Sequence, residues 1–245
     1  MTSGRPLTVI TGGGRGIGAA VAVRLAADGH DLVLGYARDS EAAVATADRV
    51  RSTGVSCRTV QADVADPEQV DALFDAVAEW GRLTGLVNNA GATMHIGDLV
   101  DTPADVVRRV IEVNLTGAVL VARRALRDLT DGGAIVNVSS SAASLGAPHE
   151  YVHYAAAKAG VDAFTVGLAA EVACRGIRVN AVAPGVVRTD IHAAAGDPGR
   201  PERVAPQIPL GRVGEPAEVA EAVAWLLGDA CPYASGAVLR VAGGR

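Results

Sequence analysis

The chain has 245 residues, which suits one large α/β domain or two small ones, and with 49% of them hydrophobic but only 3% aromatic the core is built from Val, Ala, Leu and Ile. A net charge of −5 without a long basic run argues against nucleic acid as the main partner, and no apolar run reaches the ~20 residues that span a bilayer. The three cysteines, Cys57, Cys174 and Cys231, are far apart and odd in number, which suggests no disulfide framework or metal cluster, reads each as a small buried apolar residue, and makes a reducing cytoplasm the expected setting.

Met1–Pro6 lacks the apolar core of a secretory signal and runs into Leu7-Thr-Val-Ile10, short and β-branched as in a buried parallel strand. Thr11-Gly-Gly-Gly-Arg-Gly-Ile-Gly18 follows at once, and Ile17 to Ala27 reads as a helix stopped by Gly29. Strand, glycine turn and helix in that order form a dinucleotide fingerprint: glycines let the backbone approach a pyrophosphate, and the helix N-terminus offers free N–H groups. The spacing is G-x-x-x-G-x-G, through Gly12, Gly16 and Gly18.

The second strand, Asp31 to Tyr36, runs out into Ala37-Arg38 with no acid at its tip, where an NAD site usually has a carboxylate for the ribose 2′-hydroxyl. Arg38, with Arg15 from the glycine turn, suits a 2′-phosphate, so NADP(H) is favoured over NAD(H), and Asp39 is the counter-indication. A helix from Ser40 to Ser52 leads to the strand Cys57 to Ala62, ending in Asp63-Val64, where a carboxylate is placed to accept a hydrogen bond from adenine. Asp66-Pro67-Glu68 reads as cap, first-turn proline and early acid of a helix to Trp80. The short strand Leu86-Val87 ends in Asn88-Asn-Ala-Gly91, and Thr102-Pro103-Ala-Asp105 opens a helix to about Leu129. That helix carries Asn114, a poor interior residue that reads as a buried polar role or a packing hydrogen bond.

Ala134 to Val138 is the fifth strand and ends in Ser139-Ser-Ser141; His153 to Cys174 is a helix; Ile177 to Val182 is the sixth strand, followed by Pro184-Gly185. Asp190 to Pro216 reads as a mobile lid with little regular pattern, and a helix from Ala217 to Leu227 and a strand from Ala237 to Val241 close the chain. The alternation predicts a single doubly wound Rossmann domain over 1–245, a parallel sheet with helices on both faces, whose strand ends gather the glycine turn, Arg38, Asp63, Asn89, Ser140 and Pro184 on one edge.

Tyr154 and Lys158 stand four apart in an alanine-rich helix, so both leave one face. A neighbouring ammonium favours the phenolate, and a phenol lowered in this way exchanges a proton with a carbonyl oxygen near neutral pH.

With Asn114, Ser139-Ser140, Tyr154-x-x-x-Lys158 and Pro184-Gly185-x-x-x-Thr189 added to the glycine turn, Asp63-Val64 and Asn88-Asn-Ala-Gly91, the chain resembles the classical short-chain dehydrogenases/reductases over essentially its whole length. The likeness is nearest to the branch of β-ketoacyl reductases and glucose dehydrogenases. The resemblance implies Tyr154 as acid/base, Lys158 lowering its pKa and binding the nicotinamide ribose, Ser140 holding the substrate oxygen, and Asn114 positioning a water in a relay to Lys158. It implies cofactor contacts from Gly12, Gly14, Arg15, Gly16, Ile17, Gly18, Arg38, Asp63, Val64, Asn89, Ala90, Gly91, Pro184, Gly185, Val187 and Thr189, and a homotetramer. Counting back from the tyrosine as the family does picks Ser141, whereas the Asn-Val-Ser-Ser pattern picks Ser140; both stay open, with Ser140 favoured. Val241-Ala-Gly-Gly244 departs from the family's Val-Asp-Gly-Gly, and His149 and His153 read as local hydrogen-bonding or surface residues with no metal to bind. The expected activity is NADPH-dependent reduction of a ketone or β-keto carbonyl. An NAD-dependent alcohol or sugar dehydrogenase and a non-catalytic dinucleotide-binding protein are the alternatives.

Overall fold

The computed structural model describes residues 4–245; Met1–Ser3, part of the stretch read as lacking a signal core, lie outside them. Leu7–Thr11 (β1) leads through the glycine turn into Gly16–Ala27 (α1), followed by Asp31–Tyr36 (β2), Ser40–Arg51 (α2), Cys57–Gln61 (β3) and Pro67–Ala78 (α3). Next come Leu83–Asn88 (β4), Ala104–Ile111 (α4), Gly117–Asp128 (α5), Leu129–Val138 (β5), Ala142–Leu145 (α6), Val152–Val172 (α7) and Arg178–Pro184 (β6). Ile191–Ala194 (α8), Arg200–Val204 (α9), Pro216–Leu227 (α10) and Val238–Val241 (β7) complete the order.

The strands form one parallel sheet in the order β3-β2-β1-β4-β5-β6-β7. Successive side chains alternate between its faces. Leu32, Leu34, Val136 and Val182 pack with Val21 and Leu25 of α1 and Val219 and Val223 of α10. Val9, Val33, Ile135 and Val179 meet Leu73 and Phe74 of α3, Val121 of α5 and Leu168 of α7 on the other side. The order reverses between β1 and β4, and the crevice outside those strand ends is where such a sheet takes its ligand.

Local chemistry starts several helices as expected. Asp66 accepts from the N–H groups of Glu68 and Gln69 ahead of Pro67, and Glu218 reaches back to the N–H of Glu215 ahead of Pro216. Elsewhere the structure differs. Thr102 donates to the Asp98 carbonyl instead of capping α4, whose flanking residue is Pro103. The helix expected to run to about Leu129 is broken at Glu112–Thr116 by a π-helical turn holding Asn114, and β4 begins at Leu83, well before Leu86. The lid is more regular than expected, since α8, α9 and a 3₁₀ turn at Ala205–Gln207 lie in it. Cys57 is buried, but Cys174, in the turn that ends α7, is exposed and Cys231 is half-buried, so the buried reading fails for both. Among the described residues no helix is long and apolar enough to cross a membrane.

Candidate active site

A cavity of about 690 Å³ opens along the carboxyl ends of the strands. Every residue expected at the site lines it except Gly18 and Asn114, which stand just behind its wall. At one end the glycine turn puts Gly12 (φ 63°) and Gly16 (φ 55°) in the left-handed region that favours glycine. A Cβ on Gly18 would lie 2.2 Å from the Gly12 carbonyl oxygen, so its role is to close the turn on itself. Asn89 holds the turn from β4, its Nδ2 donating to the carbonyls of Thr11 (2.9 Å) and Gly12 (3.0 Å). α1 receives no side-chain cap and carries no acid in its first turn, so its N-terminal N–H groups face the cavity wall formed by Arg15, Gly16 and Ile17 with their charge uncompensated.

The acid that spoke for NAD has another task. Asp39 caps α2, its Oδ1 accepting from Ala42 N–H at 2.9 Å. Arg38 and Arg15 are exposed on the cavity rim, and neither has an ion pair among the described residues. Asp63 lines the cavity beside Val64, but its carboxylate is held by Arg109 and by the N–H of Ala65 (3.1 Å), which engages the group expected to meet adenine. Thr189 sits against Gly16, where a Cβ would meet its methyl at 3.3 Å. Val187 bridges to Gly214, and Gly185 packs where a Cβ would meet Ala242 Cα at 2.9 Å, which puts the departing Val241-Ala-Gly-Gly244 segment against the cavity wall.

At the other end, α7 brings Tyr154 and Lys158 to the end of β5. Lys158 is 4% exposed and its Nζ donates to the Val138 carbonyl at 2.7 Å, with the Tyr154 ring centroid 5.7 Å away. Burial pushes the Lys158 ammonium down to about 8, against an opposing pull from Asp162. Burial also pushes the Tyr154 phenol up, opposed by a hydrogen bond with Ser140. The expected lowering of the phenol by Lys158 is therefore not what the geometry gives. Desolvation favours the neutral form of both groups. Ser140 Oγ accepts from Ala142 N–H at 3.1 Å, and Ser140 pulls against the rise of the Tyr154 phenol. Ser141 is fixed by its backbone, its N–H donating to the Pro184 carbonyl at 2.8 Å. Of the two serines, Ser140 is the one that influences the phenol.

Asn114 is 1% exposed; its Nδ2 donates to the carbonyls of Ala92 (2.7 Å) and Val110 (2.8 Å), and its Oδ1 accepts from Ala92 N–H (3.3 Å). A Cβ on Gly91 would be 2.8 Å from that Oδ1 and 3.6 Å from Lys158 Nζ, so asparagine and lysine face the same small space. The π turn swings Asn114 toward this point, as such turns do at functional sites. His149 is exposed and bonded to Asp98 (2.8 Å), as expected, whereas His153 is buried with neither ring nitrogen partnered, because the first turn of α7 faces the core there.

Sequence reasoning read Asp190 to Pro216 as a mobile lid but singled out none of its charged residues. The structure puts Glu150, Tyr151, His192 and Arg200 in the cavity wall beside Tyr154. Arg200 and Glu150 lie far apart in the chain, so no local pattern joins them.

A family model described as enoyl-(acyl carrier protein) reductase matches residues 12–245. An uncharacterised oxidoreductase of Escherichia coli, YgfF, is 42% identical over 98% of this chain and 99% of its own length. The 3beta-hydroxysteroid dehydrogenase 1 of Eggerthella lenta is 43% identical over 96% of this chain and 92% of its own length. A short-chain dehydrogenase of Burkholderia cenocepacia, solved in complex with NADP, superposes with a TM-score of 0.91 at 35% identity, covering 98% of this chain and 97% of that one. With the fold, the glycine turn and the Ser140–Tyr154–Lys158 cluster, these likenesses make the chain a member of the short-chain dehydrogenase/reductase family and an NAD(P)-dependent oxidoreductase.

Proposed function

We propose that the protein reduces a ketone or β-keto carbonyl to a secondary alcohol with NADPH. The observation that carries this reading is the pair of hydroxyls, Ser140 and Tyr154, together in the cavity wall with Lys158 one turn behind. A bound nicotinamide coenzyme supplies the hydride. The chain's own task is the oxygen. Ser140 and Tyr154 donate to it, and Tyr154 gives up its proton as negative charge develops there. Burial keeps that phenol protonated beforehand, so the proton is in place when the oxygen needs it. Lys158, brought to about 8, exchanges a proton near neutral pH and, with Asn114 beside Gly91, restores the phenol.

The glycine turn, the uncapped N-terminus of α1, and Thr189 beside Gly16 fit a pyrophosphate and nicotinamide, with the remaining cofactor contacts as the resemblance assigns them. The preference for NADPH is supported by Arg15 and Arg38, unpaired on the rim, and by the engagement of Asp39 in capping α2. The NADP complex of the Burkholderia relative agrees with this preference. A cytoplasmic setting is supported by three unpaired cysteines, and a homotetramer by the family alone, which light scattering tests.

The test is NADPH oxidation against ketones, β-ketoacyl thioesters and 2-enoyl thioesters, with Tyr154→Phe in parallel. Ketone turnover in the wild type, lost by about a hundredfold or more in the variant while NADPH binding persists, is the expected result. Near-normal turnover in Tyr154→Phe sinks the mechanism. Reduction of the enoyl substrates alone replaces a carbonyl substrate with a carbon–carbon double bond.

A further inference from the structure

Arg200, on α9, is 2% exposed and is the largest fully buried side chain among the described residues. Its Nη2 donates to Glu150 Oε2 and to the Tyr151 hydroxyl, each at 2.7 Å, and its guanidinium lies 5.2 Å from the Tyr151 ring centroid. The Tyr151 ring in turn meets the Tyr154 ring edge-on at 5.3 Å. Arg200, Glu150, Tyr151 and Tyr154 all contribute to the cavity wall. The Nε of Arg200 is buried and has no hydrogen-bond partner.

Holding the lid in place does not require this arrangement. Arg188 already ties the segment from outside, to Glu202 (2.5 Å) and Glu215 (3.3 Å), and Arg203 is paired with Asp197. These are exposed pairs with no desolvation to overcome. A buried guanidinium is costly even when paired, and an unpaired donor on it adds to that cost. Glu150 offsets the charge through Nη2 alone, and among the described residues the Nε–H and both Nη1–H groups have no partner. Arg200 lines the cavity beside Tyr154, so a ligand there can take up the free donors of its guanidinium.

The geometry points to Arg200 as a specificity-determining residue that donates to a second oxygen of the substrate, a carboxylate or a carbonyl, while the reacting carbonyl is held at Ser140 and Tyr154. This rests on the carbonyl-reductase reading for the position of the reacting group. A ketone without the second oxygen leaves the free N–H groups of the Arg200 guanidinium unmatched and is disfavoured on that account.

The experiment uses methyl ketones with two to five methylenes between the carbonyl and a terminal carboxylate, the corresponding methyl esters, and the plain methyl ketones. Binding to the protein with NADP⁺ is measured calorimetrically, where no reduction occurs, and kcat/KM is measured separately with NADPH. At one chain length the acid, or the acid and the ester together, should bind about tenfold or more tightly than the plain ketone. Preference for the acid alone identifies an anion, and preference for both identifies a neutral acceptor as sufficient. Arg200→Met should bring the preference to within about twofold, whereas a purely structural loss of the lid weakens all three ligands together. Arg200→Lys, which retains the charge but not the fork, serves if the methionine variant does not fold. Equal affinities in the wild type at every length, or a preference that survives Arg200→Met, overturns the inference. A binding preference without turnover of any ketone sinks the carbonyl-reductase reading and leaves the assignment of Arg200 standing.

Discussion

Burial of Lys158 has a consequence that pH makes measurable. In an unfolded chain the ammonium holds its proton to its ordinary value of 10.5, and in the folded protein only to about 8. Between those values the unfolded state binds the extra proton, so this residue's contribution to the unfolding free energy rises with pH. Below about pH 8 the folded state bears the whole penalty, on the order of 3 kcal/mol. Lys158→Met should therefore raise the urea midpoint near neutral pH, and the gain should shrink as pH rises through the window to 10.5. Taking wild type minus variant removes the other titrating groups. A gain that stays constant with pH would mean that the ammonium is solvated in the folded protein. The tyrosine–lysine pair could be read from its spacing, but the direction of its electrostatics could not. Four residues of helix fix that two groups are near each other, and only the surrounding sheet fixes how little water they share.

Among the elements, α2 decides how the coenzyme question is tested. Asp39 and Arg38 are adjacent in sequence, and from sequence alone the carboxylate and the guanidinium compete for the same ribose. The cap bond from Asp39 to Ala42 separates them. Asp39→Ala should cost about 1 kcal/mol of stability, as loss of a cap does, and leave the ratio of NADPH to NADH affinity unchanged. Arg38→Ala should weaken NADPH about tenfold and leave NADH nearly untouched. A change in the coenzyme ratio in the aspartate variant would return that carboxylate to the ribose. The cap at Asp66 was legible because donor and acceptor lie within one turn, whereas the cap at Asp39 was not read, its carboxylate having been weighed only against the ribose. The π turn around Asn114 was not. It follows from packing against Ala92 and Lys158, from other elements, and not from any propensity within Glu112–Thr116.

At the level of the whole molecule, a doubly wound parallel sheet could be read from the alternation of strands and helices, while the strand order, and with it the reversal between β1 and β4 that makes the cavity, comes from the structure. What the alternation does not contain is the pairing of α9 with the loop before α7, because Arg200 and Glu150 meet only once the lid has folded over. The cavity joins residues from both halves of the sheet, so a ligand spanning it should stabilise the molecule as one unit. NADPH at a hundredfold its dissociation constant adds about 2.7 kcal/mol, which for a chain of this size raises the melting temperature by roughly 5–10 °C. At equal concentration NADH should raise it less, as a thermal melt would show. Equal shifts would remove the coenzyme preference.

The packing of α1 on α10 bears on how the protein is made. Arg24 bonds to Glu221, a separation of 197 residues, at 2.9 Å, and Val21 and Leu25 share one core with Val219 and Val223. A ribosome therefore delivers the helix of the nucleotide turn almost at once, and its apolar face stays uncovered until nearly the whole message has been translated. The nascent first half carries an exposed sticky surface throughout that interval. A chain released before α10 should be a client of chaperones and proteases and not a smaller nucleotide-binding protein.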